Sequence, residues 1–207
     1  MTPVDLTGGV AVRLASLCLD ARGRLRDFAL WDVAVRGALL VDLARADRLA
    51  HEDDGITVDA APTGFPPADR LLAAVEVEPE RSLDWWLDHG GVRMRDLAEA
   101  NLASGRWVVR RRFPGRRYED VSAVAADDRR LLAGPPPDDG SPGAAAVRVL
   151  GLACGAGGRP EPVDEQDLSP TGPLRWICEA VTAHLDVAHR HNLRAAGAAD
   201  GGSVPYY

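Results

Sequence analysis

Apolar positions recur at helical spacing along most of the chain, most densely between positions 28 and 49. Leu30, Val33, Gly37, Leu40 and Ala44 make one stripe there, and Trp31, Val35, Leu39 and Leu43 make another. Two stripes cover most of a helix's circumference, so this helix is expected to be largely buried. Arg36 and Gly37 stand at its centre. Glycine costs roughly 1 kcal/mol against alanine in a helix interior, and a buried guanidinium needs partners. The pair points to close backbone packing and to an anion contact.

The same period predicts further helices. One covers 10–19, with Leu14, Leu17 and Cys18 inward. Another carries Leu71, Leu72 and Val75 and opens on Pro67. Ser82 reads as the N-cap of a helix containing Leu83, Trp86 and Leu87. Gly90-Gly91 breaks it, and Met94, Leu97, Asn101 and Leu102 give the next, stopped near Gly105. Helices are also expected over 119–133, closed by Gly134, and from Ser141-Pro142 to near Gly155. The last covers 174–191, with Leu174, Ile177, Val181 and Leu185 on one stripe. The period changes over 106–113, where alternation predicts a strand that turns at Pro114-Gly115. A short strand is expected at Ile56-Thr57-Val58. Positions 20–23 read as a turn, 61–67 and 157–173 as loops, and 135–140 as a stiff connector. The expected fold is mainly α: one globular domain of about eight helices with a short β-hairpin over 1–194, then a Gly- and Ala-rich flexible tail, 195–207.

Composition narrows the function. The chain has 207 residues, 46% of them apolar, enough for a real core. Its net charge of −7 argues against a general nucleic-acid binder. All the Lys/Arg-type basic residues are arginine, which reads as the coding bias of a GC-rich genome and carries little functional weight. Cys18, Cys154 and Cys178 lie in apolar surroundings at no metal-like spacing, as buried thiols in a reducing cytosol do. The start shows no signal peptide, and no stretch approaches the ~20 apolar residues that span a bilayer. A membrane would be met from outside, by a cytoplasmic protein.

Enzyme signatures are absent from the sequence. His51-Glu52-Asp53-Asp54 lacks a second histidine one helical turn on. His184, His189 and His191 fall near the expected end of the last helix, where cations complement the dipole. Gly155 to Gly158 follows a helix rather than a strand, the wrong context for a phosphate cradle. The basic positions say more. Arg36 lies four residues after Asp32, which suits either a helical ion pair or an anion contact. Arg93 and Arg95 flank Met94 at an expected helix start, a place that favours anions. Arg110 to Arg112, with Arg116 and Arg117, is interleaved by Trp107, Phe113 and Tyr118. That run suits acidic lipid or RNA, or a surface hairpin paired to nearby acids.

The order of these segments resembles the Golgi-phosphoprotein-3-like family. Leu14-Ala-Ser-Leu-Cys-Leu-Asp-Ala-Arg-Gly23 resembles its opening helix and Asp-x-x-Gly turn. Val35-Arg-Gly-Ala-Leu-Leu-Val-Asp-Leu resembles its "RG-small-LL-x-x-L" helix, and Ala61-Pro-Thr-Gly64 with Asp69 and Leu71-Leu72 its Pro-Thr-Gly segment. The tryptophan helix from Ser82 and the helix ending at Gly105 follow in the family's order. The resemblance implies a mainly helical domain that is not an enzyme and uses no cofactor or metal. It implies a peripheral protein at the inner face of the membrane that binds phosphatidylinositol 4-phosphate through a pocket on a basic surface. Cytosolic tails of membrane proteins and a homo-oligomer are further partners it suggests. The pocket's helix arginine falls on Arg36. Phe28 and Trp31 are the nearest aromatics to the pocket's tryptophan, and Arg93 and Arg95 lie where its two further arginines are expected, at a different spacing. The alternative reading is a soluble protein-interaction module that has kept the fold and lost lipid binding.

Overall fold

The doubly apolar stretch forms α2 (Ala29–Arg45), buried without interruption from Val33 to Leu43. The structure is a computed structural model and describes residues 5–25, 28–52, 55–111, 115–135 and 141–200. Around α2 pack α1 (Val10–Leu17), α7 (Pro142–Cys154) and α9 (Arg175–Asp200). Gly37 faces Val181 of α9 at close range. A Cβ built there would lie 2.3 Å from Cγ1 of Val181 and 3.2 Å from its Cγ2. The glycine that is costly for an isolated helix lets two helices meet, as its position in the apolar stripe suggested.

α2 stops four residues before the apolar pattern does. Asp47 adopts a left-handed conformation (φ 54°). The Asp47 N–H then donates to the Ala44 carbonyl (3.1 Å) and the Arg48 N–H to Leu43 (2.9 Å). This is the Schellman ending, usually built on glycine. Leu49 therefore starts β1 (Leu49–Glu52), antiparallel to β2 (Gly55–Val58) with Leu49 opposite Val58. Asp53 and Asp54 lie outside the described residues. The His51 ring packs at a tilt against Trp176, with ring centroids 5.3 Å apart.

α3 (Pro66–Val77), α4 (Leu83–His89) and α5 (Met94–Ala103) follow as the spacing predicts. The Ser82 hydroxyl caps α4 by accepting from the Trp85 N–H (3.3 Å). The strand 106–113 becomes β3 (Trp107–Arg111), paired with β4 (Arg116–Asp120); residues 112–114 of the expected strand and turn lie outside the described residues. Glu119 and Asp120, expected to begin a helix, pair with Val108 and Trp107, and α6 (Ala125–Ala133) starts only afterwards. Trp107 is buried, and its indole N–H donates to the Ser16 hydroxyl (2.9 Å), tying the hairpin to α1. Trp107→Phe should lower the unfolding free energy by about 1 kcal/mol in urea titration, the usual worth of one buried hydrogen bond.

Two further corrections concern the C-terminal third. The expected loop 157–173 contains α8 (Glu165–Leu168), one turn with a capping box from Asp164 and Asp167, and then a 3-10 turn (Ser169–Leu174). Buried Arg148 explains this order: it reaches Asp167 and the Gly134 carbonyl (3.2 and 3.3 Å). α9 runs on to Asp200, so residues 195–200 of the expected tail are helical and His184, His189 and His191 are mid-helix, away from its terminal dipole. The three cysteines are buried and unpaired. Burial raises the Cys18 thiol pKa and pushes Cys178 up to about 12, so both remain protonated thiols.

Candidate functional site

Arg36 points from the middle of α2 across the end of α4. Its Nε donates to the Leu87 carbonyl and its Nη1 to the Val92 carbonyl (2.8 Å). These are carbonyls flanking the Gly90-Gly91 break. Gly90 leaves room for the side chain, since a Cβ there would lie 3.0 Å from Arg36 Cδ and 2.6 Å from Leu71 Cδ1. Burial lowers the Arg36 pKa from its usual value, while Asp32 and Asp88 oppose the shift. Arginine remains charged through such a change.

Asp32 makes a different bond from the one its i, i+4 spacing suggests. Its Oδ1 accepts the Met94 backbone N–H (2.7 Å) at the first turn of α5. A carboxylate there satisfies an orphan N–H and complements the helix dipole. This bond sets the start of α5 against the first turn of α2. Arg93 and Arg95 are exposed at that start, and neither pairs with an acid among the described residues. Asp96 is engaged twice, accepting from the Arg93 N–H (2.8 Å) and pairing with Arg70 (2.6 Å).

The two candidate aromatics separate. Trp31 is buried, with its indole N–H on the Cys154 carbonyl (3.1 Å), so it is part of the core. Phe28, the N-cap of α2, is 41% exposed and meets Trp31 edge to face at 5.9 Å. The Asp32–Met94 bond thus sets the start of α2, with exposed Phe28, against the start of α5, with exposed Arg93 and Arg95, while Arg36 is buried one turn after Asp32. Asp32 and Asp88 belong to the same neighbourhood and were not singled out as site residues. Their roles depend on α5 and α4, far along the chain.

Beside this end, α2, α4 and α9 enclose a cavity of about 350 Å3 lined by Leu30, Val33, Asp88, His184 and His191. His184 spans Asp84 (2.9 Å) and Asp88 (3.0 Å) through its two ring nitrogens, fastening α9 to α4. The basic run of the hairpin is less available than its sequence suggests. Trp107 is core, Arg110 pairs with Glu119, and Arg106 pairs with Asp120 (3.3 Å). Phe113 lies outside the described residues.

Chemically, the α2–α5 end offers planar cationic donors near an exposed aromatic. That suits an anion presented at an apolar boundary. Among the described residues there is no group of three or more His, Cys, Asp or Glu arranged to hold a metal. No described helix is long and apolar enough to cross a membrane. A search of curated proteins finds no match. The family model described as Golgi phosphoprotein 3 (GPP34) matches residues 13–170, from within α1 through α8, with Arg36 and both exposed arginines. With most of its length matched, the chain belongs to the Golgi phosphoprotein 3 (GPP34) family.

Proposed function

We propose that this protein is a peripheral membrane-associated binding protein that recognises anionic lipid head groups and acts without catalysis. Family membership suggests phosphatidylinositol 4-phosphate as the head group. The observation that carries the reading is the joint exposure of Phe28, Arg93 and Arg95 where α2 and α5 begin. Arg93 and Arg95 contact phosphate oxygens, and Phe28 enters the interface. Arg36 acts behind them: by holding the Leu87 and Val92 carbonyls it fixes the turn that presents Arg93.

The test is vesicle co-sedimentation with phosphatidylcholine alone and with added phosphatidylinositol 4-phosphate or phosphatidylglycerol. Pelleting is expected only with the anionic vesicles and should fall with salt. Each surface cation is worth about 1 kcal/mol at an anionic membrane, so Arg93→Ala with Arg95→Ala should weaken binding roughly thirtyfold. Arg36→Ala is a poorer probe because it also frees two carbonyls at the α4–α5 turn. One observation favours the soluble interaction module: Asp32 already holds the first N–H of α5, where a phosphate would be received. Equal pelleting with neutral and anionic vesicles, or no loss in the double variant, decides for that module.

A further inference from the structure

A second cavity, of about 1000 Å3, shares no residue with the α2–α5 site. It is a groove between the turn after α1, the β3–β4 hairpin, α6 and the end of α7. Leu17, Leu19, Leu132 and Leu152 give it an apolar side. Gly151 and Gly157 are part of the same wall, and Leu132 lies over both: a Cβ at either would meet it at 2.9 and 3.2 Å.

Arg22, Arg117, Arg129 and Arg159 also line the groove, and none of the four makes an ion pair with a described residue. The acids beside them are largely engaged. Asp20 accepts the Arg22 and Arg24 backbone N–H groups (2.8 Å each), Glu119 pairs with Arg110, and Asp120 with Arg106. With Glu161, the lining carries four carboxylates against five guanidinium groups, a small cationic excess. Arg117 adds an independent observation. Its Nη1 donates to the Arg22 carbonyl (3.2 Å), but its Nε is buried with no acceptor. A cationic N–H in that state is costly unless something supplies an oxygen.

We propose that this groove binds a small amphiphilic anion, with a phosphate or carboxylate head on Arg117 and its neighbouring arginines and an apolar body against the four leucines. The volume is at the upper end of small-ligand sites. A peptide added as a strand is disfavoured, because the outer edge of β4 is already used: the Tyr118 N–H donates to the Gly23 carbonyl (2.7 Å). Guanidinium forks match both head groups, and the leucines supply the affinity that a bare anion lacks.

Calorimetric titration of the full chain with octyl phosphate below its micelle concentration tests this, with octanol and inorganic phosphate as controls. Saturable one-to-one binding of octyl phosphate is expected, with each control at least about tenfold weaker. Arg129→Glu combined with Arg159→Glu should weaken it by about tenfold or more. Its melting temperature should be unchanged, because neither side chain bonds to a described residue. Arg93→Ala with Arg95→Ala should bind as wild type, which separates this site from the membrane-facing one. The proposal is overturned if octyl phosphate does not bind, if octanol or inorganic phosphate binds as well, or if the Arg129/Arg159 variant is unaffected. Tighter binding of a glutamate-rich peptide than of octyl phosphate also overturns it.

Discussion

Asp42→Ala is expected to lower the unfolding free energy by about 3 kcal/mol, through two orphaned helix N–H groups and a lost cap. Asp42 belongs to α2, is fully buried, and accepts the Val10 N–H on Oδ1 (2.7 Å) and the Ala11 N–H on Oδ2 (2.9 Å). These are the first N–H groups of α1. The N-cap of α1 is Gly9, which has no side chain to offer, so the cap comes from another helix. Gly9 is small for that reason: a Cβ would come 2.4 Å from Asp42 Oδ2. Burial raises the Asp42 pKa to about 6, against the lowering effect of the two backbone bonds and of Arg45 and Arg13.

The sign of the pH effect follows from that shift. The folded state holds a proton on Asp42 up to a higher pH than the unfolded chain does. Stability from this group is therefore present below the unfolded pKa near 4 and is lost as pH rises through about 6. Asp59 works in the opposite sense, since the Ala61 N–H and Arg48 hold it below its usual value. The whole-protein curve thus mixes signs, and comparison with a variant isolates Asp42. The advantage of wild type over Asp42→Asn should widen by about 2–3 kcal/mol between pH 7 and pH 4. Chemical denaturation of both proteins across that range measures it, and parallel curves would exclude the titration.

Gly37→Ala should cost about 2 kcal/mol although alanine is the better helix former. The gain in helix propensity is roughly 1 kcal/mol, whereas forcing a methyl into a closed contact costs about 1–3 kcal/mol or more. Val181 cannot turn away cheaply. It is β-branched and both its γ carbons face Gly37, so rotation exchanges one clash for another. Val181→Ala should relieve the strain. In a double-mutant cycle by urea denaturation, the two substitutions together should cost at least about 1 kcal/mol less than their sum. Additive costs would show that the α2–α9 contact is not what Gly37 serves.

Both residues show which parts of the molecule were legible from local spacing. The burial of α2, the caps at Ser82 and Ser141, and the hairpin at Trp107 follow from period and turn chemistry, and the structure places them there. The end of α2 was not legible, because aspartate stands in the left-handed position that glycine usually marks. Glu119 and Asp120 read as helix by spacing, but the ladder to Val108 and Trp107 holds them in β4.

The candidate site divides in the same way. Arg36, Arg93, Arg95 and Phe28 were identifiable by residue type and by order along the chain. Which of them face solvent, and what Arg36 holds, depended on partners 51 and 56 residues away. Asp32 had an obvious local partner in Arg36 and instead bonds Met94, 62 residues on. Hydrophobic period is a property of neighbouring residues, so the chain alone determined which helices form, which faces they bury and which family they belong to. A buried charge is satisfied by whatever backbone groups the packed helices bring to it. Only the assembled fold could therefore decide that Arg36 braces a turn, Asp42 caps a foreign helix, and four arginines share a groove without an ion pair to a described residue.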